Sequence, residues 1–148
     1  MDILKLKEQL IKDEGVVYAV YLDHLGNPTL GVGHLITEDD PEFGLSVGTP
    51  VFKARVWKLL RKDIDQAIND SKTFYGASEF DSWPEEVRQI VVNMMFNMGI
   101  NRMRGFVNFR AALERGDWKD AAKEGRDSLW YRQVTNRAER LMQRMERV

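Results

Sequence analysis

Apolar residues recur at Ile3, Leu6 and Leu10, the spacing of one helical face. They predict a helix over 3–13, which Asp2 can cap and Gly15 stops. The period then changes. Residues 16–23 are rich in β-branched and aromatic side chains and predict a strand. Asp23-His24-Leu25-Gly26-Asn27-Pro28 reads as a turn. Thr29 to His34 reads as the returning strand, in which Gly31 and Gly33 let another backbone or a ligand approach closely. Residues 36–49 are acidic and carry Gly44 and Gly48 without a clear period. They predict a loop, with a short strand possible at 47–49.

Thr49 and Pro50 look like the cap and first position of a long helix. Phe52, Val56, Leu59, Leu60, Ile64, Ala67 and Ile68 sustain helical spacing to about Ser71, roughly 33 Å of helix. That length exceeds one small lobe, so this helix is expected to connect two. The remaining chain reads as helical throughout. Ser82-Trp83-Pro84-Glu85 has the form of a capping box, opening a helix of about 83–98 that Gly99 closes. Its apolar residues lie nearly all round, which marks a buried central helix. Further helices are predicted over 106–115, over 118–124 with Asp117 as its cap and Gly125 as its stop, and around Trp130 and Tyr131. A last one is capped by Thr135, with Ala138, Leu141, Met142 and Met145 facing inward.

The expected class is therefore α+β and mostly helical. Residues 13–50 would form a small lobe with a short antiparallel sheet. Residues 50–71 would be the connecting helix and 73–148 a larger helical lobe, with helix 3–13 packing on it, all as one functional unit. A chain of 148 residues, 43% hydrophobic and 30% charged, can bury a core of that kind. It has no cysteine, so a thiol nucleophile and a disulfide framework are excluded. Its first residues carry interspersed charges and have neither the form of a signal peptide nor that of a membrane span.

The net charge of −1 conceals a gradient. Residues 1–50 carry −6, residues 51–100 balance, and residues 101–148 carry +5. A basic final third favours a polyanionic partner. Nucleic acid is a poor candidate, because acids dilute the basic residues and no recognition motif is present. One histidine at the hairpin's end, His34, and one at the turn tip, His24, make no metal-ligand cluster. No phosphate loop, dinucleotide fingerprint or nucleophile elbow occurs, so neither metal nor cofactor is expected.

The candidate chemistry lies in Lys12 to Leu35. Glu14 ends the first helix, Asp23 follows nine residues later, and Thr29 comes six further on, before Gly31-Val32-Gly33-His34-Leu35. A hairpin that brings two carboxylates to one mouth is a plausible acid/base site, although two such acids alone are more often solvated surface groups. The joint spacing, with NMMFNMG at 93–99, GFVNF at 105–109 and WYRQVTNRAER at 130–140, resembles the T-even phage lysozymes, or endolysins, of glycoside hydrolase family 24. The resemblance covers nearly the whole chain in the family's order.

This resemblance implies a muramidase. It would hydrolyse the β-1,4 bond between N-acetylmuramic acid and N-acetylglucosamine in bacterial peptidoglycan, with inversion, to lyse a host. Glu14 would protonate the leaving oxygen, while Asp23 and Thr29 would hold and activate a water. Arg137 would pair with Glu14, with Asn136 bracing it, and His34 would pair structurally with Asp63. Leu35, Phe96 and Asn136 would contact the glycan, and Met98 and Gly99 match positions along the family's cleft. The implied protein is a monomer made in the host cytoplasm. It would reach the wall through a holin lesion, with no cofactor, nucleic acid or stable membrane partner. Two other classes compete. A lytic transglycosylase would use one acid and no activated water, and product mass separates it. An inactive wall-binding module would fail a turbidity assay on permeabilised cells.

Overall fold

The computed structural model describes residues 1–148, Met1 to Val148. Its contacts divide the chain into two compact units, Ile3–Gln66 and Ala67–Val148, the second including Met1 and Asp2. The first unit begins with α1 (Ile3–Glu14), in which Leu6 and Leu10 are fully buried. A three-stranded antiparallel sheet follows, built from β1 (Val17–Leu22), β2 (Pro28–Gly31) and β3 (His34–Leu35) in that order.

The expected single strand over 29–34 is broken. Gly31 and Gly33 both have positive φ, at 62° and 60°. The chain reverses between them, so that Leu30 faces His34 and Thr29 faces Leu35 across β2 and β3. Only glycine enters that backbone region without penalty, so these two glycines make a tight turn.

The start of the long helix also differs from the expectation. The helix α2 runs Lys53–Tyr75, and neither Thr49 nor Pro50 begins it. The Gly48 and Val51 N–H groups donate to the carbonyls of Val20 and Tyr18, and the Val20 N–H donates to Thr49. Residues 48–51 thus pair along the free edge of β1, with Ala19 opposite Pro50. The Thr49 hydroxyl donates to the Ser46 carbonyl instead of capping α2. Pairing with the sheet satisfies backbone groups that a helix would otherwise have used. The boundary between the two units lies inside α2, and α1 groups with the sheet-containing unit.

The second unit is helical. It contains the end of α2, then α3 (Ala77–Ser82), α4 (Glu85–Met98), α5 (Ile100–Met103), α6 (Val107–Arg115), α7 (Trp118–Arg126), α8 (Leu129–Gln133) and α9 (Thr135–Glu146). The short α3 and α5 were not foreseen. Ser82 closes α3, donating to the Glu79 carbonyl, and α4 opens at Pro84 with no side-chain cap. The expected capping box is absent because Glu85 accepts instead from the Asp2 N–H and from Gln89. Thr135 likewise lies inside α9, its hydroxyl donating to the Tyr131 carbonyl. As expected, Val87, Ile90, Val91, Met94 and Met95 of α4 are buried, and Asp117 caps α7 by accepting from the Asp120 N–H. No helix is long and apolar enough to cross a membrane.

Gly125 was read as a helix stop, yet α7 continues through it to Arg126. Its role is packing: a Cβ at Gly125 would lie 2.3 Å from Sδ of Met142 on α9. Met142 is completely buried, and a dense core yields little room. Gly125→Ala should therefore destabilise the fold by about 1–3 kcal/mol. Combined with Met142→Ala it should cost less than the sum of the two single changes. Urea unfolding of the three variants checks this, and an unaltered midpoint for Gly125→Ala would show that Met142 moves aside freely.

Candidate active site

Glu14 is the last residue of α1. The Gly15 N–H donates to the Ile11 carbonyl at 2.8 Å and the chain then leaves the helix. The Glu14 carboxylate lies against Gly33: a Cβ there would be 2.7 Å from Oε2, 3.0 Å from Cδ and 3.3 Å from Cγ. The glycine that lets β2 and β3 reverse thus also makes room for the acid.

Asp23 follows β1 directly and closes the turn it stands in. Its Oδ1 accepts from the N–H groups of Leu25 at 2.9 Å and Asn27 at 2.8 Å, while its own N–H donates to the Asn27 carbonyl at 3.0 Å. Hydrogen bonds from Asn27 and Leu25, together with the nearby His24, outweigh partial burial and hold the Asp23 carboxyl below the usual range. It is therefore an anion near neutral pH. The two backbone bonds to Oδ1, with a side-chain hydrogen bond from Asn27, fix the carboxylate plane.

Thr29 is only 3% exposed. Its hydroxyl donates to the Asn27 carbonyl at 2.8 Å. With its one hydrogen committed, Oγ1 can only accept from any further partner. Asn27 thus orders both neighbours, its N–H fixing Asp23 and its carbonyl fixing Thr29. Sequence reading named Asp23 and Thr29 but not Asn27, since turn residues seldom reveal which backbone atoms they will use.

The His34 ring bridges two acids. Nδ1 is 2.6 Å from Asp63 Oδ2 on α2, and Nε2 is 2.8 Å from Asp40 Oδ2 in the acidic loop. The Asp63 contact is the expected pair; Asp40 was missed because nothing periodic marks its loop. Asp40 also accepts from the Thr37 N–H and lies 3.5 Å from Arg55, whose guanidinium makes two 3.0 Å bonds to Glu42. Burial pulls the His34 pKa down, but hydrogen bonds and charge from Asp63 and Asp40 outweigh it, and the net shift is upward. For Asp40, burial raises the value, while Thr37, His34 and Arg55 together bring it below normal.

Leu35 is exposed at the end of β3. In the helical unit, Phe96 is half-buried on α4 and Asn136 is exposed in the first turn of α9. Arg137 is buried, and its Nε and Nη2 donate to Asn93 Oδ1 at 3.0 and 2.7 Å. Sequence reading did not identify Asn93 as its partner. Met98 is 8% exposed and lines a cavity of about 380 Å³ with Arg102, Phe106, Phe109, Glu124 and Trp130.

The family described as Phage lysozyme matches residues 11–147, and the chain belongs to that family. Among curated proteins it is similar to the pre-baseplate central spike protein Gp5 of Enterobacteria phage T4, at 31% identity over 93% of this chain. The chain spans only 27% of that protein's length. It is also similar to two Dictyostelium discoideum proteins, probable T4-type lysozymes 1 and 2, each at 27% identity. These alignments cover 97% and 95% of this chain, and 95% and 92% of the relatives. The class is thus that of peptidoglycan hydrolases.

Two experiments test the site's framework. A His34 value raised above its unfolded one contributes stability fully below about pH 6.5, lost as pH rises through the folded value. A lowered Asp40 value contributes above about pH 3.9, lost as pH falls through its folded value. Their joint contribution therefore peaks between those limits. Near pH 5.5, Asp63→Asn or Asp40→Asn should each cost on the order of 1–4 kcal/mol, with the penalty shrinking in alkali. Melting temperatures across pH check this, and equal penalties at pH 5.5 and pH 9 would dismiss the ionic account. The second compares Gly33→Ala with Gly31→Ala, whose Cβ would meet Val56 Cγ1 at 3.0 Å. Both should lose stability, but only Gly33→Ala should lose activity per folded molecule, by about 10²-fold, through displacement of Glu14. Equal specific activities would show that Glu14 tolerates the move.

Proposed function

We propose that this chain cleaves the β-1,4 bond between N-acetylmuramic acid and N-acetylglucosamine by a single inverting displacement. The arrangement of Asp23 and Thr29 carries this reading. Asp23 Oδ2 and Thr29 Oγ1 are both acceptors, so a water between them donates one hydrogen to each. That leaves the water's lone pairs for the anomeric carbon. As its oxygen attacks, a proton passes to Asp23. The C–O bond to the leaving sugar breaks, and Glu14 gives its proton to the departing oxygen. An oxocarbenium-like transition state joins the two events, and attack opposite the leaving group inverts the centre.

Support for this reading comes from the family match and from the ionised, turn-bound Asp23. A lyase needs no held water, and a threonine whose hydrogen is committed elsewhere would then have no evident purpose. Arg137 is proposed to support Glu14, with Leu35, Phe96 and Asn136 as glycan contacts. The proposed setting is lysis of a bacterial host by a monomer admitted through a holin lesion. The resemblance to the phage lysozymes supports it.

Glu14→Gln should lose about 10²–10⁴-fold in rate, the usual worth of a general acid. Asp23→Asn should lose heavily too, and Thr29→Ala less than either, since it orients the water but takes no proton. The first product from a β-linked strand should be the α-anomer by NMR. An initial β-anomer, an anhydro product or an unimpaired Glu14→Gln enzyme would falsify the mechanism.

A further inference from the structure

Tyr21 lies on β1 two residues before Asp23, and its Cα pairs with that of Thr29 across the hairpin. Directly opposed residues of antiparallel strands point to the same face with Cβ atoms about 4.5–5.5 Å apart. The register therefore sets the phenol beside the Thr29 side chain. A tyrosine is much the longer of the two, so on that shared face its hydroxyl reaches farther from the sheet than Thr29 Oγ1. Tyr21 is half-buried.

Burial, then the charge of Glu14, then that of Asp23 raise the Tyr21 pKa. Both carboxylates therefore lie close enough to act on one hydroxyl, yet no hydrogen bond is among the causes. Tyr131 provides the contrast within the same chain. Its hydroxyl donates to Glu139 at 2.8 Å, and that bond is the largest influence on it. The Tyr21 hydroxyl is held protonated by its surroundings and keeps its hydrogen available.

The local chemistry lacks a donor. Thr29 Oγ1 and Asp23 Oδ2 can only accept, so a water between them spends both hydrogens and holds two lone pairs. One lone pair must point at the anomeric carbon, and nothing in the Asp23–Thr29 pair selects which. We propose that Tyr21 is a further catalytic residue, whose phenolic hydrogen bonds to the second lone pair of the attacking water and leaves a single lone pair aimed at the sugar. This rests on the water route proposed above. Tyr21 gives up no proton in the step: the water's proton goes to Asp23, and Glu14 protonates the leaving oxygen.

The test uses Tyr21→Phe, which removes one oxygen and keeps the ring, in the wild-type and Thr29→Ala backgrounds. Solubilised glycan strand is the substrate. In the wild-type background kcat should fall about 10-fold, the scale of one hydrogen bond. KM should stay within about 2-fold and the melting temperature should be unchanged. In the Thr29→Ala background, where the same water is already loose, the further loss should be under about 2-fold. Unchanged kcat, a loss confined to KM, a lowered melting temperature, or losses that multiply across the two backgrounds would overturn the role of Tyr21. The anomer of the first wild-type product is read in the same samples. A β-anomer removes the water route itself, whereas an α-anomer with a silent Tyr21→Phe removes only this inference.

Discussion

The side chain of Asp23 accepts two backbone N–H groups from the turn that follows it, and the working geometry of the first unit depends on that closure. With Leu25 and Asn27 held to Oδ1, the hairpin has a fixed length, and Tyr21 pairs with Thr29. A slip of one residue would send Thr29 to the other face of the sheet. Asn27 then takes the Thr29 hydrogen. One turn therefore sets the position of a carboxylate, its ionisation and the polarity of the neighbouring hydroxyl. A side chain used both to fold the turn and to do chemistry cannot be changed for one purpose without affecting the other.

The acidic loop solves a different problem. It has little apolar surface of its own: Phe43, Leu45 and Val47 are exposed. Charge fixes it in place of a core. Asp40 and Glu42 reach Arg55 of α2, and Asp40 shares His34 with Asp63. Partly buried pairs of this kind gain little net energy over apolar packing, but breaking one leaves a charge without its partner. The cluster therefore serves mainly to fix one arrangement of the loop on the sheet and α2. In the helical unit, Arg137 and Asn93 do the equivalent in a core otherwise dominated by Met, Leu and Val.

Much of this was legible in the sequence, for a physical reason. Apolar spacing is set by the period of the element that buries it. The stripes of α1, α2, α4 and α9 therefore appear in the chain before any contact is known, as does the β-rich run of β1. A helix end, a turn and the strand after it carry Glu14, Asp23 and Thr29, and these local elements were legible; their joint role was named only by the resemblance to the phage lysozymes. Asp117 capped α7 as expected, since a cap reaches only three residues ahead.

Wherever a group had two possible partners, the tertiary structure decided. Thr49, Ser82 and Thr135 all have the residue type of a helix cap, yet each donates to a carbonyl behind it. The backbone at 48–51 pairs with β1, and Glu85 turns to Asp2. Gly33 looked like a strand residue and proved to be a reversal with an acid packed on it. Gly125 looked like a stop and proved to be the space Met142 needs. Asp40 and Asn93 carry no local mark, because their partners lie on other elements. By itself the sequence determined which elements form and which acids they carry, because helix and strand periods are local. Only the tertiary structure decided which donor meets which acceptor, because that choice depends on atoms brought from elsewhere in the chain.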